Sequence, residues 1–241
     1  MIRKRDKEEE TEAVVNEEIN GSAEDSVESP ETKSRFRVTR RTSIPVNSEN
    51  ESDEFVPKYN IDFLGQKQVL EKIAFSINSH IPVLLVGETG TGKTSAIRYL
   101  AAMTNNGFRR VNHNGGTTVE DIVGKILVNK EGTYWVDGVL VDAMRKGHWY
   151  LADEINAAAA EINFVYHSLL DDDGYVVLVE NNGEIVRPHP NFRFFGAMNP
   201  PADYAGTKEL NKALMSRFSV FKFDFPSPDD EKEILVKMGL P

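Results

Sequence analysis

Gly87-Glu88-Thr89-Gly90-Thr91-Gly92-Lys93-Thr94 lies between a continuous apolar run, Ile81 to Val86, and a segment of helical period, Thr94 to Met103. The octapeptide matches the pattern G-x-x-x-x-G-K-[ST], whose glycines let backbone N–H groups turn toward phosphate oxygens. In this pattern the lysine reaches the β- and γ-phosphates and the threonine hydroxyl binds Mg²⁺. The positive N-terminal end of the following helix also favours an anion. These residues, with Ser95 directly after them, predict a strand–loop–helix unit that binds a nucleoside triphosphate; a flexible loop without function is the alternative.

A second apolar strand, Trp149 to Ala152, is followed directly by Asp153 and Glu154. In proteins with such a phosphate loop, an aspartate at this place holds Mg²⁺ beside the loop threonine. A glutamate next to it can act as the base that polarises an attacking water. The pair therefore predicts hydrolysis as well as binding, with Thr94 and Asp153 as the metal residues. Taken alone, two acids at a strand end are more often the start of a solvated loop.

Two further polar residues follow later apolar segments. Asn199 comes directly after the strand Phe192 to Met198, and parallel strands present their carboxyl ends to the ligand crevice, so we expect Asn199 to face the γ-phosphate. The Asn-Pro-Pro sequence is also a plain turn signal. Arg217 closes a short helix and could reach a neighbouring subunit's nucleotide, where an arginine finger accelerates hydrolysis by roughly 10³ to 10⁵. The alternative is that Arg217 only matches the helix dipole.

The chain after Pro57 alternates between apolar runs and segments of helical period, which is typical of an α/β domain with a parallel sheet. Two β-hairpins interrupt this alternation. One surrounds Asn129-Lys130-Glu131-Gly132, and the other surrounds Asn181-Asn182-Gly183, whose Asn-Gly is a strong hairpin signal. The predicted core strands are 81–86, Phe108–Asn112, His148–Ala152, Phe192–Met198 and Ser219–Phe225.

Residues 1–56 contain many charged and small polar residues and few large apolar ones, so we predict a disordered tail. Its acidic part, Glu8 to Glu31, is followed by a short basic cluster. A solvated linker is one interpretation of this cluster, and contact with an acidic partner or DNA is the other. The cluster consists of Arg35, Arg37, Arg40 and Arg41.

The composition excludes several classes of protein. A formal charge of −10 argues against general attraction to nucleic acid. The absence of cysteine excludes a disulfide, a thiolate metal site and a cysteine nucleophile. The amino terminus continues into acidic residues, and no stretch reaches the roughly 20 apolar residues of a membrane span. We therefore expect a cytoplasmic protein without a membrane segment.

Together these motifs resemble the MoxR-type branch of the AAA+ ATPases, the group with dynein-related domains. Within it they are similar to the CbbQ/NorQ and CobS groups. The resemblance runs from about Tyr59 to Glu231. It is carried by Gly87 to Thr94, Ala152-Asp153-Glu154-Ile155-Asn156-Ala157-Ala158, Arg187-Pro188-His189-Pro190-Asn191-Phe192, Asn199-Pro200 and Ser216-Arg217-Phe218.

The resemblance implies a P-loop AAA+ core with a five-stranded parallel sheet in the order 5-1-4-3-2. One hairpin is inserted at helix 2 and the other before the fourth strand. It further implies that Asn199 is the first sensor, that Arg217 is the arginine finger and that Asn112 holds Glu154. The segment Ile61 to Gln66 is implied to lie near the adenine.

The resemblance also implies how the molecule works. ATP and Mg²⁺ are the expected ligands, and a homo-oligomeric ring, commonly a hexamer, is expected to place the finger in trans. Residues 57–226 are expected to form the core. Residues 227–241 are expected to begin a helical lid that is largely absent. Relatives of this type act on a protein substrate, often with a von Willebrand A-type partner.

Three functions are compatible with these residues. The leading one is an ATP-hydrolysing ring that remodels or activates a partner protein. The alternative is a nucleotide-gated assembly or DNA-associated switch that uses the basic cluster of the tail. A kinase would use the same loop, but the Asn199 strand, the hairpins and the Ser216-Arg217-Phe218 ending count against it.

Overall fold

A computed structural model describes residues 35–48, 53–58, 66–200 and 209–237 of the chain. The strands are β1 (Arg35–Arg37), β2 (Ser43–Pro45), β3 (Val83–Gly87), β4 (Phe108–Asn112), β5 (Gly124–Asn129), β6 (Gly132–Asp137), β7 (Trp149–Asp153), β8 (Val176–Leu178), β9 (Glu184–Val186), β10 (Arg193–Met198) and β11 (Ser219–Phe223). The helices are α1 (Lys67–Asn78), α2 (Lys93–Met103), α3 (Val119–Ile122), α4 (Val139–Lys146), α5 (Ala160–Leu169), α6 (Lys212–Met215) and α7 (Pro228–Lys237), with a 3₁₀ turn at Ile155–Ala157.

Five strands form one parallel sheet in the spatial order β11-β3-β10-β7-β4. Numbered along the chain, this order is 5-1-4-3-2, which confirms the predicted α/β fold class. The strand boundaries differ from the predicted ones by at most two residues. The first strand starts at Val83 because Pro82 has no N–H to donate to a neighbouring strand.

Alternate residues of the central strands fill two hydrophobic cores, one on each face of the sheet. In β7, Trp149 and Leu151 belong to the core that contains residues of α1 and α2, whereas Tyr150 and Ala152 belong to the core that contains residues of α4 and α5. Every residue of β7 is buried. Covering both faces explains why these strands are continuous apolar runs in the sequence, without polar alternation.

The carboxyl ends of the strands align at one edge of the sheet. Asp153 at the end of β7 pairs with Ala197 in β10 and with Asn112 at the end of β4. Gly87 at the end of β3 pairs with Phe223 in β11. Since parallel strands point the same way, the residues that follow them meet in one crevice.

Both predicted hairpins are present as separate two-stranded sheets. β5 and β6 pair antiparallel between β4 and α4, and β8 and β9 pair antiparallel between α5 and β10. In the second hairpin, Asn182 has a φ of 55° and Gly183 a φ of 70°. These values are in the left-handed region that an Asn-Gly turn predicts.

The structure differs from the sequence prediction in the N-terminal region. β1 and β2 form an antiparallel hairpin, and Ile44 in β2 is only 1% exposed within the core of α1 and α2. The backbone N–H of Asn47 donates to the carbonyl of Thr104 at 2.8 Å. The prediction of a disordered tail to residue 56 is therefore wrong for residues 35–48, because a few apolar side chains bury against the domain. Residues 1–34 lie outside the described residues.

The segment 53–58 also packs on the domain, along edge strand β4. The carbonyl of Phe55 accepts a hydrogen bond from the N–H of Phe108 at 2.9 Å, and the Arg109 guanidinium lies 4.0 Å from the centre of the Phe55 ring. Asp53 contacts the Nε2 of buried His148 at 2.6 Å. The folded domain thus includes residues before Pro57, where the sequence predicted its start.

The last described helix, α7, has no buried residue. It begins at Pro228, where the sequence predicts the start of a lid, and the assignment of 227–241 to a lid stays a prediction. Within the described ranges, no helix combines the length and apolar character needed to cross a membrane.

Candidate functional site

The loop between β3 and α2 has the backbone that its sequence predicts. Gly92, the residue before α2, has a φ of 92°, which side chains with a Cβ rarely adopt. At Gly87 the limit is space, because an added Cβ would lie 2.1 Å from the carbonyl oxygen of Phe223 in β11. The hydroxyl of buried Thr91 donates to the carbonyl of Glu88 at 2.9 Å and braces the loop. Because these glycines have no side chain, there is space around the loop N–H groups at the N-terminus of α2.

The Lys93 side chain lies inside this loop. Its Nζ donates to the carbonyls of Gly87 at 2.6 Å and Glu88 at 2.8 Å, and to Oδ1 of Asn199 at 3.1 Å. Desolvation by burial lowers the pKa of Lys93, while the nearby carboxylates of Glu154 and Asp153 act in the opposite direction. The ammonium thus lies between the loop and the end of β10, held by weak acceptors that a phosphate oxygen could replace.

Thr94 and Asp153 meet beside the lysine. The Thr94 hydroxyl donates to Oδ2 of Asp153 at 2.9 Å. These two side chains offer oxygen ligands, which Mg²⁺ prefers, and Mg²⁺ usually binds one or two carboxylates together with substrate phosphates. Among the described residues no cluster of three or more His, Cys, Asp or Glu could hold a metal alone. Thr94 and Asp153 therefore suit a metal ion whose remaining ligands come from the phosphates of a nucleotide.

Glu154 and Asn199 complete a polar chain across the crevice. Nδ2 of Asn199 donates to Oε1 of Glu154 at 2.9 Å, and its Oδ1 accepts from Lys93. Asn199 is buried at 5% exposure. The amide thus joins the lysine of the loop to the carboxylate after β7, and the structure brings Lys93, Thr94, Asp153, Glu154 and Asn199 into one site.

A buried hydrogen-bond chain lies behind this site and was not predicted from the sequence. The carbonyl of Asp153 accepts from both the backbone N–H and Nδ1 of His113, at 2.9 Å each. A carbonyl can only accept, so Nδ1 carries the proton and Nε2 accepts from the Tyr166 hydroxyl at 2.8 Å, which in turn contacts the Tyr150 hydroxyl at 2.8 Å. Burial lowers the pKa of His113, which keeps the ring neutral. An isolated histidine after a strand gives no sequence signal for such a chain.

Arg110 was also missed. Its Nε and Nη2 contact Oδ2 of Asp153 at 2.8 and 2.6 Å, the same oxygen that Thr94 contacts. The strand period offered a signal, because Arg110 and Asn112 are two residues apart and share one side of β4. Only the pairing of β4 with β7 shows that this side meets Asp153.

The structure does not bring Arg217 to the other site residues. Its Nη2 forms an ion pair with Asp171 at 2.6 Å, and its Nη1 donates to the carbonyl of Ala213 at 2.6 Å. Among the described residues, its buried Nε has no hydrogen-bond partner. Within its own chain, the Arg217 guanidinium therefore contacts Asp171, which follows α5, and Ala213 of α6 instead of the phosphate loop.

Two further predicted assignments, for Asn112 and for the adenine segment, are not supported by the described residues. The prediction that Asn112 holds Glu154 is wrong in this structure, because Asn112 is exposed and Asn199 takes that place. The proposed adenine segment falls on residues 61–66, of which 61–65 lie outside the described residues.

Comparison with known proteins gives a matching family model, a similar solved structure and several related sequences. The family model for the AAA domain (dynein-related subfamily) matches residues 82–218, from the first core strand to the end of the arginine-bearing segment. A crystal structure of a candidate ATPase from Cytophaga hutchinsonii superposes with a TM-score of 0.61 at 20% identity, covering 73% of this chain and 51% of that chain. At this identity the superposition supports the fold alone.

Sequence relatives include both very long and short proteins. Midasin from Dictyostelium discoideum is 39% identical over 157 residues, which are 65% of this chain and 3% of that protein. CbbQ from Hydrogenophilus thermoluteolus is 34% identical over 166 residues, 69% of this chain and 61% of that protein. The aerobic cobaltochelatase subunit CobS of a Sinorhizobium species is 30% identical over 189 residues, 74% of this chain and 57% of that protein. The chain thus spans less than two thirds of the length of each of these relatives.

Proposed function

The chain belongs to the AAA domain family, dynein-related subfamily, and from this premise we propose that it binds ATP with Mg²⁺ and hydrolyses it. The observation that carries the proposal is the continuous polar chain from Lys93 through Asn199 to Glu154, beside the Thr94–Asp153 pair. A carboxylate held beside the phosphate loop can supply the base that hydrolysis needs and that binding alone does not need.

Each residue has a distinct task in this proposal. The loop N–H groups and the Lys93 ammonium bind the phosphates, and the ammonium exchanges its carbonyl acceptors for phosphate oxygens. Thr94 and Asp153 would hold Mg²⁺, which neutralises phosphate charge when bound. Glu154 accepts a proton from the attacking water. Asn199 keeps the Glu154 carboxylate at a fixed distance from the loop.

Substitution of two of these residues tests binding and hydrolysis separately. Lys93→Ala is expected to abolish ATP binding, because the buried cation at the phosphates is lost. Glu154→Gln is expected to keep binding and to reduce turnover by a factor of about 10² to 10⁴, since only the base is removed. Equilibrium binding of ATP and release of free phosphate measure the two effects.

Lys72→Ala on the exposed side of α1 is the matched control and should change neither quantity. Normal turnover by the Glu154→Gln variant would show that the base is assigned wrongly. Phosphate transfer to a small acceptor, without release of free phosphate, would point to a kinase instead.

We further propose that hydrolysis serves to remodel or activate a partner protein in a homo-oligomeric ring. One support is that a relative, CobS, is named as a subunit of a cobaltochelatase, a larger enzyme. Another is that both hairpins expose large apolar side chains to solvent, such as Val128 at 77% and Val179, just after β8, at 78%. These side chains are available for contact with a partner protein. A von Willebrand A-type partner, a cytoplasmic location and a lid starting at 227 belong to the same proposal.

The N-terminal hairpin favours a second candidate function, the binding of DNA. Its four arginines are exposed on a folded element, where they form a fixed basic surface in an otherwise acidic chain. The four are Arg35, Arg37, Arg40 and Arg41. A basic surface of this kind attracts phosphate groups, and the affinity falls as salt increases.

Replacing these four arginines with serine is expected to abolish salt-dependent binding of labelled single-stranded DNA, measured by fluorescence anisotropy. The control replaces four other exposed cations, Lys67, Lys72, Lys125 and Lys130, and should keep binding. If the full chain shows no DNA binding at low salt, this second function is excluded.

A further inference from the structure

The Asp153 carboxylate accepts four hydrogen bonds, three of them at Oδ2. Its Oδ2 accepts from the Thr94 hydroxyl and from both Nε and Nη2 of Arg110, at 2.9, 2.8 and 2.6 Å. Its Oδ1 accepts from the backbone N–H of Glu154 at 3.1 Å. The carboxylate side chain is 7% exposed, so these partners occupy nearly all of its accessible surface.

Three donors on one oxygen leave no lone pair for another ligand. A carboxylate oxygen has two lone pairs, and three donors on Oδ2 exceed them. If Asp153 is to offer Oδ2 to a metal ion or a metal-bound water, one of these three donors must withdraw. Thr94 is itself a proposed metal residue and must stay nearby, whereas the Arg110 side chain is 46% exposed and can turn toward solvent.

Electrostatics favours the same exchange. A guanidinium that contacts Oδ2 at 2.6 Å would lie within a few ångströms of a divalent cation bound at that oxygen, and like charges at this distance repel strongly. Either cation neutralises Asp153, but both cannot contact Oδ2 together. Arg110 therefore neutralises the charge of the buried Asp153 carboxylate through this contact.

We propose that Arg110 is a positioning residue that holds Asp153 while no metal is bound and competes with Mg²⁺ for its Oδ2. This inference rests on the proposed function, in which Thr94 and Asp153 are the metal residues. It implies that Mg²⁺ must displace Arg110 when it binds, which weakens the net affinity of the site for Mg²⁺. The arginine therefore raises the Mg²⁺ concentration at half-maximal binding.

The neighbouring arginine provides a matched control. Arg109 precedes Arg110 in the same edge strand, but its Nη1 pairs with Asp142 of α4 at 2.9 Å and its guanidinium covers the Phe55 ring. Successive residues of a strand point to opposite sides, so Arg109 cannot reach Asp153. Substitution of Arg109 tests the loss of an arginine from β4 without the loss of the contact with Asp153.

The first experiment measures the binding of a fluorescent ATP analogue, methylanthraniloyl-ATP, to the full chain while Mg²⁺ is titrated. Arg110→Gln is expected to lower the Mg²⁺ concentration at half-maximal binding about three- to tenfold, because a charge-assisted ion pair no longer competes. Arg109→Gln should keep the wild-type midpoint. Affinity in EDTA should be the same, within twofold, for all three proteins.

A midpoint in Arg110→Gln that is equal to or above that of wild type would overturn the proposal. Weaker binding by Arg110→Gln in EDTA would also overturn it, since the arginine would then contact the nucleotide. Arg110→Lys keeps the charge without the fork and should shift the midpoint in the same direction by a smaller factor. It replaces the glutamine variant if thermal unfolding shows that the glutamine variant does not fold.

A second experiment separates this inference from the proposed function. Binding of Mn²⁺ together with inorganic tripolyphosphate, which supplies the phosphate ligands that Thr94 and Asp153 lack, is followed by electron paramagnetic resonance. Arg110→Gln should bind the ion more tightly than wild type, with Asp153→Asn removing the difference. Failure of wild type to release phosphate from ATP would contradict the proposed function but leave this measurement valid. Equal Mn²⁺ affinity of Arg110→Gln and wild type would overturn the competition itself.

Discussion

Glu154 has a φ of 52°, in the left-handed region that residues with a Cβ seldom adopt. This conformation costs about 1–2 kcal/mol for a residue other than glycine. It turns the chain sharply after β7, and the carboxylate meets Asn199 at 2.9 Å. Strained residues persist where the surrounding contacts hold them, and they cluster at functional sites. The backbone of Glu154 thus supports its proposed role independently of its sequence position.

The hydrogen-bond chain from Tyr150 through Tyr166 to His113 ends on the backbone carbonyl of Asp153. Tyr166→Phe is expected to lower the free energy of unfolding by about 1–3 kcal/mol, because His113 Nε2 and the Tyr150 hydroxyl both lose their partner in the core. Tyr150→Phe removes only the outer donor and should cost less, about 0.5–1.5 kcal/mol. Urea unfolding of both variants measures the difference, and an equal cost would contradict the direction of the chain.

Among the elements, the N-terminal hairpin differs most from what the sequence predicted. Among the described strands, β1 and β2 pair only with each other, so the hairpin is not an extension of the central sheet. It is held instead by side chains that contact the α1–α2 side, with Ile44 in the core and Asn78 donating to the carbonyl of Ser43 at 2.9 Å. The hairpin thus fixes the four arginines relative to the sheet.

Ile44→Ala tests whether the hairpin belongs to the folded domain. The side chain is 1% exposed, so its truncation leaves a cavity and is expected to lower the free energy of unfolding by about 2–4 kcal/mol. Arg40→Ala in the exposed turn is the control and should change it by less than about 0.5 kcal/mol. A negligible effect of Ile44→Ala, measured by denaturant unfolding, would show that the hairpin detaches readily in solution.

For the whole molecule, the position of Arg217 is the feature that bears on assembly. The guanidinium is paired with Asp171 of its own chain and contacts none of the site residues described above. An arginine that serves hydrolysis from this position must act on another subunit. The separation of Arg217 from its own loop therefore supports the proposed ring, in which the finger is supplied in trans.

A ring with trans fingers should show turnover per subunit that rises with protein concentration. Arg217→Ala is expected to remove the rise and to reduce turnover in assembled protein by a factor on the order of 10³, while ATP binding is retained. Phosphate release and sedimentation velocity over one concentration series provide the measurement. Arg187→Ala is the control, because this exposed arginine contacts the Asp173 carbonyl and the Tyr175 ring. Turnover that is independent of concentration while assembly occurs would exclude the trans finger.

The sequence by itself determined the sheet, its strand order through the family resemblance, both hairpins and the residues at the strand ends. It could do so because continuous apolar runs, turn residues and the phosphate loop are local patterns that need no knowledge of distant contacts. The N-terminal hairpin escaped because its few apolar residues are diluted by arginine, threonine and serine, and only the rest of the domain makes their burial favourable.

Only the tertiary structure decided which residues meet. The pairing of β4 with β7 brings Arg110 to Asp153. Because β10 lies between β3 and β7 in the sheet, Asn199 at its end meets both Lys93 and Glu154. These contacts join residues 43 to 106 positions apart, so no periodicity or short motif records them. They follow from the order and register of parallel strands, since the register sets which side chains share one edge of the sheet.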